Sequence, residues 1–390
     1  MTVFPASTVF APAIKPWSVA PEDHGAKGDG TTNDTVALQA AFAEAKSGRR
    51  KVVLNGSYNI PSASFVVDSR MLIEGSGELV RSTDVLFPLI EVKAGADDTI
   101  IDGIQARYTP ATTGASGNHG GIVVRNASRV TLRGVRTLGP FYVGLSFENA
   151  PDGLVEGCSV RGFFNRGIYG YLASGGMRII GNLVDGADTS GTIVGTYGVN
   201  INDGGITTPA RYAVTGNTIR NATAHGLGIG GTCRHLTATG NNISSTGVIG
   251  NGVAVIKANG NRPREILLND NTIEGFDTGM LIGEADGVIV SNNLLMPAST
   301  AVLVTDSKGV IVKGNISKGG ANNHFWALAN SALSCQDLTF TDNMAIGGLP
   351  WVLVTTANCD RITHGGNRRV GGAGSYSIGG TNIITGAANA

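Results

Sequence analysis

Gly198-Val199-Asn200-Ile201, Gly226-Leu227-Gly228-Ile229, Gly252-Val253-Ala254-Val255 and Gly279-Met280-Leu281-Ile282 repeat one pattern, a glycine followed by apolar residues at alternate positions. The pattern reaches upstream through Gly121-Ile122-Val123-Val124, Gly144-Leu145-Ser146-Phe147 and Gly167-Ile168, and downstream to Ala301-Val302-Leu303-Val304, at spacings of 22 to 31 residues. A second anchor trails the first at the same mean period of about 25: Gly181-Asn182, Gly216-Asn217, Gly240-Asn241, Asp270-Asn271, Asn292-Asn293, Gly314-Asn315, Asp342-Asn343 and Gly366-Asn367. A third apolar run lies between them, as in Leu236-Thr237-Ala238 and Val288-Ile289-Val290. Each unit therefore holds three short period-two segments parted by Gly, Asn and Asp turns, with no helical stretch long enough for a crossover. Three strands per coil at this period specify an all-β, right-handed parallel β-helix of about 11–13 coils. The recurring asparagines are expected to stack as a ladder of side-chain amides.

The composition fits a repeating structure. Of 390 residues 58 are glycine, spread from Gly25 to Gly386 without the collagen period, and only 15% are charged. The glycines are expected to serve the turns. Lys+Arg and Asp+Glu both number 29, so no electrostatic footprint favours nucleic acid or an anionic membrane. No apolar run approaches the roughly 18 residues that span a bilayer. Met1 to Ala20 lacks the basic and apolar regions of a signal peptide, so the expected location is extracellular, by way of a signal since removed or by another route such as lysis, or on a virion tail. Cys158, Cys233, Cys335 and Cys359 are too scattered for a disulfide scaffold or a zinc site. Cys335 and Cys359 fall one coil apart in one column, with Cys233 four coils away.

The expected organisation is an extension over residues 1–22, a cap over 23–70, coils over 71–372 and a C-terminal cap or tail over 373–390. The cap contains one helix over 34–46, with Asn33 or Asp34 as N-cap, Leu38, Phe42 and Ala45 on its apolar face, and Gly48 beyond its end. Around that helix, Asp23-His24-Gly25-Ala26-Lys27-Gly28-Asp29-Gly30-Thr31-Thr32-Asn33-Asp34-Thr35 and Lys51-Val52-Val53-Leu54-Asn55-Gly56-Ser57-Tyr58-Asn59-Ile60 resemble the opening signature of the pectate-lyase-like superfamily of right-handed β-helices. That superfamily includes polysaccharide lyases, polygalacturonase-type hydrolases, alginate C5-epimerases and phage tailspike depolymerases. The resemblance implies the fold and a carbohydrate ligand, with reaction type left open. His225-Gly226-Leu227-Gly228 and Asn251 to Lys257 look like the His and Lys motifs of polygalacturonases, but Thr196-Tyr197-Gly198 stands where that family has paired aspartates. Tyr197 to Asp203 is similar to an alginate-epimerase segment, with Asn200 and Asn202 in place of its Asp and His.

Strand alternation fixes which residues point outward. Val123, Ser146, Tyr169, Asn200, Gly228 and Ala254 form one outward column, and Arg125, Glu148, Tyr171, Asn202, Gly230 and Ile256 the next. Arg166, Tyr197, His225 and Asn251 stand at the start of the same strands, while Leu281 and Leu303 continue the first column. Two longer turns, 185–196 and 203–211, flank this mid-rod face, as expected of a binding surface. The expected catalytic residues are Arg166, His225, Tyr197, Asp203 and Lys257, and the expected substrate contacts Tyr169, Tyr171, Glu148, Asn200, Asn202, Asp185 and Asp188.

Three functions follow. A lyase acting on a uronic acid needs a cation for the carboxylate, which Arg166 and Lys257 supply, and groups that move protons, which His225, Tyr197 and Tyr169 supply. A hydrolase needs two carboxyls, drawn from Glu148 and Asp203 with Asp185 and Asp188 approaching Asp203. The third is a tailspike or receptor-binding module gripping a surface glycan without cleaving it, or an epimerase. β-Elimination on an extracellular or cell-surface polysaccharide is ranked first. No cofactor is required; calcium, which favours carboxylate clusters, stays open. The chain is expected as a monomer or homotrimer.

Overall fold

The computed structural model describes residues 17–386 except 86, 111–119, 172–175, 189–190, 193, 204–210, 248, 320–321, 330–334, 348–350, 357 and 372–374. Three parallel sheets of 15, 14 and 13 strands, here A, B and C, wrap one core. Each coil contributes a strand to C, then A, then B: Tyr197–Asp203 lies in C, Tyr212–Thr215 in A and Thr218–Arg220 in B, before His225–Gly231 returns to C one coil on. The inward apolar positions stack in register, so that Ile122, Leu145, Ile168, Val199, Leu227 and Val253 form a column almost wholly removed from water. Each such side chain contributes roughly 1.5–3 kcal/mol, and the repetition of that burial holds the rod together. The expected β-helix is present.

The two glycine anchors have different physical origins. The one before each ladder asparagine sits in a left-handed turn between sheets A and B, with φ of 64° at Gly216 and 65° at Gly240. Where glycine is absent, Asp270, Asn292 and Asp342 take its place at 54–56°, the short polar residues that tolerate this conformation best. The glycine opening each sheet C strand has no positive φ, contrary to the expectation of turn chemistry. A Cβ at Gly226 would stand 2.3 Å from Ile243 Cγ2 and 2.7 Å from the Gly252 carbonyl oxygen. The same collision with the next coil's carbonyl recurs at 2.5–2.7 Å from Gly121 to Gly279. Here glycine is required by the approach of one coil to the next.

The asparagine ladder runs unbroken over eight coils from Asn182 to Asn367, all buried. The Asn217 amide donates to Asn241 Oδ1 at 2.9 Å, and Asn241 in turn donates to Asn271 Oδ1 at 2.8 Å. One coil before Asn182 the place is taken by Cys158, whose backbone N–H donates to Asn182 Oδ1 at 2.8 Å and whose thiol lies 3.4 Å from the Leu132 carbonyl oxygen. Cys158→Asn is expected to add a rung and raise stability by about 1 kcal/mol, read as a higher urea midpoint. A lower midpoint would mean that the extra volume outweighs the new hydrogen bonds.

The helix, α1, spans Thr35–Gly48 and buries Ala37, Leu38, Ala41, Phe42 and Ala45 over the first coil. It is longer than expected. Gly48 is its last residue, and Arg49 takes the left-handed position at φ 50°. Asp34 occupies the N-cap position, but its carboxylate accepts from the Lys27 and Gly28 N–H groups, while Asn33 Oδ1 accepts from Thr35. The first part of the family-like signature is thus fastened to the helix start.

The rod extends past both expected boundaries. Ser18–Val19, placed in an extension by the sequence reading, pairs with Lys51 and Val52 in sheet A. Ser375–Ile378 and Ile384–Thr385, placed in a cap or tail, pair onto sheets C and A. All four cysteines are buried and none is in a disulfide, with Cys335 and Cys359 in direct register.

Candidate functional site

The outer face of sheet C carries the candidate groove. Pairing places Arg166, Tyr197, His225 and Asn251 at the start of four successive strands. The Arg166 guanidinium lies 4.2 Å from the Tyr169 ring centre and 5.4 Å from that of Tyr197, and its Nε donates to Asn200 Oδ1 at 3.2 Å. Tyr197 meets the His225 ring edge to face at 5.3 Å, and the Asn251 amide is 3.1 Å from His225 Nδ1. Tyr169 stacks on Tyr171 at 5.4 Å. A cation, three phenol rings and an imidazole thus form one connected cluster.

Among the described residues Arg166 has no carboxylate partner, so its charge is available to an anion. Burial lowers the pKa of His225, leaving a neutral imidazole near neutral pH. Burial also pushes the Tyr169 phenol up to about 12, which keeps it protonated. The Asn251 amide braces the ring at Nδ1.

Beyond the cluster, Gly228 and Gly230 leave the floor without side chains. A Cβ at Gly228 would lie 2.6 Å from Asn200 Nδ2, so the Asn200 amide needs that opening. Asn202 Oδ1 is buried over the same floor and has no hydrogen-bond partner among the described residues.

The other expected residues are drawn elsewhere. Glu148 is bonded to Arg125 at 2.7 Å, and Arg125 also meets Glu91 at 2.8 Å, so this carboxylate is spent on a three-residue bridge. Lys257 pairs with Glu284 at 2.8 Å on the next coil. Val123, Ser146 and Ala254 lie in the outward column yet are buried, Ser146 beside Glu148 at 3.1 Å.

Asp185 is buried on sheet B, beside Arg220 at 3.2 Å and accepting from the Asn221 amide at 2.9 Å. Asp188 turns back to the Thr192 N–H at 2.9 Å. Both precede Tyr197–Asp203, whereas Asp203 ends that strand. The expected approach of Asp185 and Asp188 to Asp203 is therefore wrong: they stand at opposite ends of a seven-residue strand, about 20 Å long. Residues 204–210 of the second long turn lie outside the described residues.

Sequence reasoning overlooked Arg125 as the partner of Glu148, and Trp326, which pairs with Leu303 and continues the first outward column. The same alternation carried one coil beyond Leu303 would have found Trp326. A separate cleft of about 780 Å³ is at the N-terminal end between Trp17, Lys46, Arg70 and Ile100. Its neighbouring cations are partly neutralised, Lys46 by Asp68 at 2.8 Å and Lys51 by Glu74 at 2.5 Å, and it is remote from the sheet C cluster. Among the described residues no group of three or more His, Cys, Asp or Glu side chains is placed to hold a metal ion.

Comparisons with known proteins agree with this architecture. Residues 197–367 match the family model described as "Right handed beta helix region". No characterised protein sequence matches the chain. Among solved structures, the Dettilon tailspike protein (gp208) is similar with a TM-score of 0.62 and 16% identity, over 94% of this chain and 68% of its own. The catalytic unit of a GH87 alpha-1,3-glucanase from Streptomyces thermodiastaticus gives 0.61 and 19%, over 97% and 69%. The A-module of the Azotobacter vinelandii mannuronan C-5 epimerase AlgE6 gives 0.53 and 15%, over 94% and 99%. With its coil period, asparagine ladder and stacked sheets, the chain is a right-handed parallel β-helix, the fold it shares with these structures.

Proposed function

We propose that sheet C binds an acidic polysaccharide from the extracellular space or a cell surface along the rod, and cleaves it by β-elimination. The observation that carries this reading is Arg166, an outward cation caged by Tyr169 and Tyr197 and without a carboxylate partner among the described residues. Elimination from a uronic acid breaks the C5–H and C4–O bonds and forms a C4–C5 double bond. It requires charge neutralisation at the carboxylate, a base for the C5 proton and an acid for the departing oxygen. Arg166 meets the carboxylate, the neutral His225 takes the proton, and the protonated Tyr169 gives one to the leaving group. Tyr197 touches both the imidazole and the cation and so keeps them side by side. Asn200 and Asn202 contribute hydrogen bonds to the sugar.

A hydrolase is less well supported, since Glu148 is engaged by Arg125 and Asp185 lies on another sheet. A tailspike or receptor-binding module shares the first half of the proposal, the groove, without the second. Neighbours named for a tailspike, for mannuronan and for an alpha-1,3-glucan favour a glycan ligand through their shared fold.

The test is incubation with a panel that includes polygalacturonate, alginate and neutral glucans. Absorbance at about 235 nm reports the unsaturated product of elimination, and reducing ends report hydrolysis. Reducing ends alone would replace the lyase reading by a hydrolase. Binding without either leaves the receptor module. The pH dependence gives a further expectation. Because the base must be neutral and burial lowers the His225 pKa, the acid limb of kcat/KM is expected below the ordinary imidazole value of about 6.5. A limb above that value would remove His225 from this role.

A further inference from the structure

We infer, resting on that reading, that the groove continues toward the C-terminal end as an apolar platform over Leu281, Leu303 and Trp326, which receives further sugar rings of the same polysaccharide. Register joins Tyr169, Asn200 and Gly228 to Ala254, Leu281, Leu303 and Trp326 on successive coils of one outward column. Six steps at about 4.8 Å give a strip about 29 Å long. Along it the side chains pass from ring and amide to none, then to methyl, isobutyl and indole.

No charged side chain interrupts the column between Tyr169 and Trp326. Leu281, Leu303 and Trp326 each keep part of their surface in water, whereas Val123 and Ser146 at the opposite end of the column are buried. The flanking outward positions add Ile256 and Leu328, both also partly open. Among the described residues the Trp326 Nε1–H makes no hydrogen bond, so the polar edge of the ring does not brace the coil. An uncharged strip ending in an indole suits the C–H faces of pyranose rings, which are apolar on their faces and polar at their edges. Continuity with the Arg166 cluster identifies the occupant as the distal part of the chain held there, with the acidic unit at Arg166 and the apolar ring faces beyond it.

The experiment measures affinity of the whole protein for the acidic polymer that binds in the panel, polygalacturonate or alginate, and for its disaccharide. The polymer is expected to bind more tightly than the disaccharide. Trp326→Leu, which keeps an apolar side chain in the coil, is expected to weaken the polymer about tenfold, equivalent to about 1.4 kcal/mol, and to leave the disaccharide unchanged. Leu303→Ser provides a second variant with the same expected split, and a thermal melt confirms that each is folded. Arg166→Ala should weaken both ligands. Unchanged polymer affinity in both platform variants would overturn the platform while leaving the groove at Arg166 in place. So would self-association of the protein that Trp326→Leu abolishes, since the strip would then serve a second copy of the chain. Failure of the wild type to bind any acidic polymer would overturn the groove and the platform together.

Discussion

Replacement of Asn241 by alanine is expected to destabilise the rod by at least about 3 kcal/mol. The side chain is buried in the middle of the ladder, with 1% of its surface exposed. Its Oδ1 accepts from both the backbone N–H and the amide of Asn217, at 3.0 and 2.9 Å. Its amide donates to the Val214 carbonyl and to Asn271 Oδ1, each at 2.8 Å. Alanine leaves the Asn217 N–H without that acceptor and the Val214 oxygen without that donor, in a place too enclosed for water to replace both. Each lost partner costs roughly 1–3 kcal/mol, and the cavity adds to it. The adjacent Asn242 is exposed, so Asn242→Ala should stay within about 0.5 kcal/mol of the parent. Urea unfolding of the pair provides the comparison. Equal midpoints would show that the ladder follows from the fold and does not stabilise it.

Arg166→Ala is expected to reduce kcat/KM on the acidic polymer by about 100-fold or more, the scale of losing one charge-stabilising group from a reacting centre. The fold should be unaffected, because the guanidinium packs on Tyr169 and Tyr197 at the surface and, among the described residues, its one side-chain hydrogen bond is to Asn200. Arg166→Lys should recover little of the loss. An ammonium keeps the charge but loses the planar group that lies on the Tyr169 ring and presents a fork to a carboxylate. His225→Ala should likewise abolish turnover and keep the fold. Full activity in both Arg166→Ala and His225→Ala would remove the mid-rod groove from the chemistry.

The parts legible in the sequence were those imposed by repetition. Alternation alone aligned Ile168, Val199, Leu227 and Val253 inward and Tyr169, Asn200 and Gly228 outward, and the backbone pairing has the same register. The spacing of Cys335 and Cys359 likewise gave their pairing. Contacts chosen by long side chains were not legible. Glu148 turns to Arg125 and Lys257 to Glu284 because each reaches a neighbour on an adjoining coil, and a reach across coils depends on rotamers that period-two patterning does not encode. The glycines were legible as a pattern and misread in cause. Alternation records that Gly226 tolerates no side chain, but the object in the way is the Gly252 carbonyl oxygen, which lies 26 residues on in the chain. Asp185 illustrates the remaining gap: its chain distance from Asp203 is short, yet an entire strand separates them.

The stacking of the sheet C strands also constrains what the groove can measure. The contact residues are spread over successive coils, and backbone hydrogen bonds hold neighbouring coils at one fixed interval. Side chains can swing across the groove, but their spacing along it cannot adjust without breaking a ladder of such bonds. A ligand whose repeat matches the coil interval gains every contact in phase, whereas one with a different repeat drifts out of phase after a few units. Selectivity for a polymer can therefore arise from the commensurability of two periodic objects, even where no single sugar is recognised strongly.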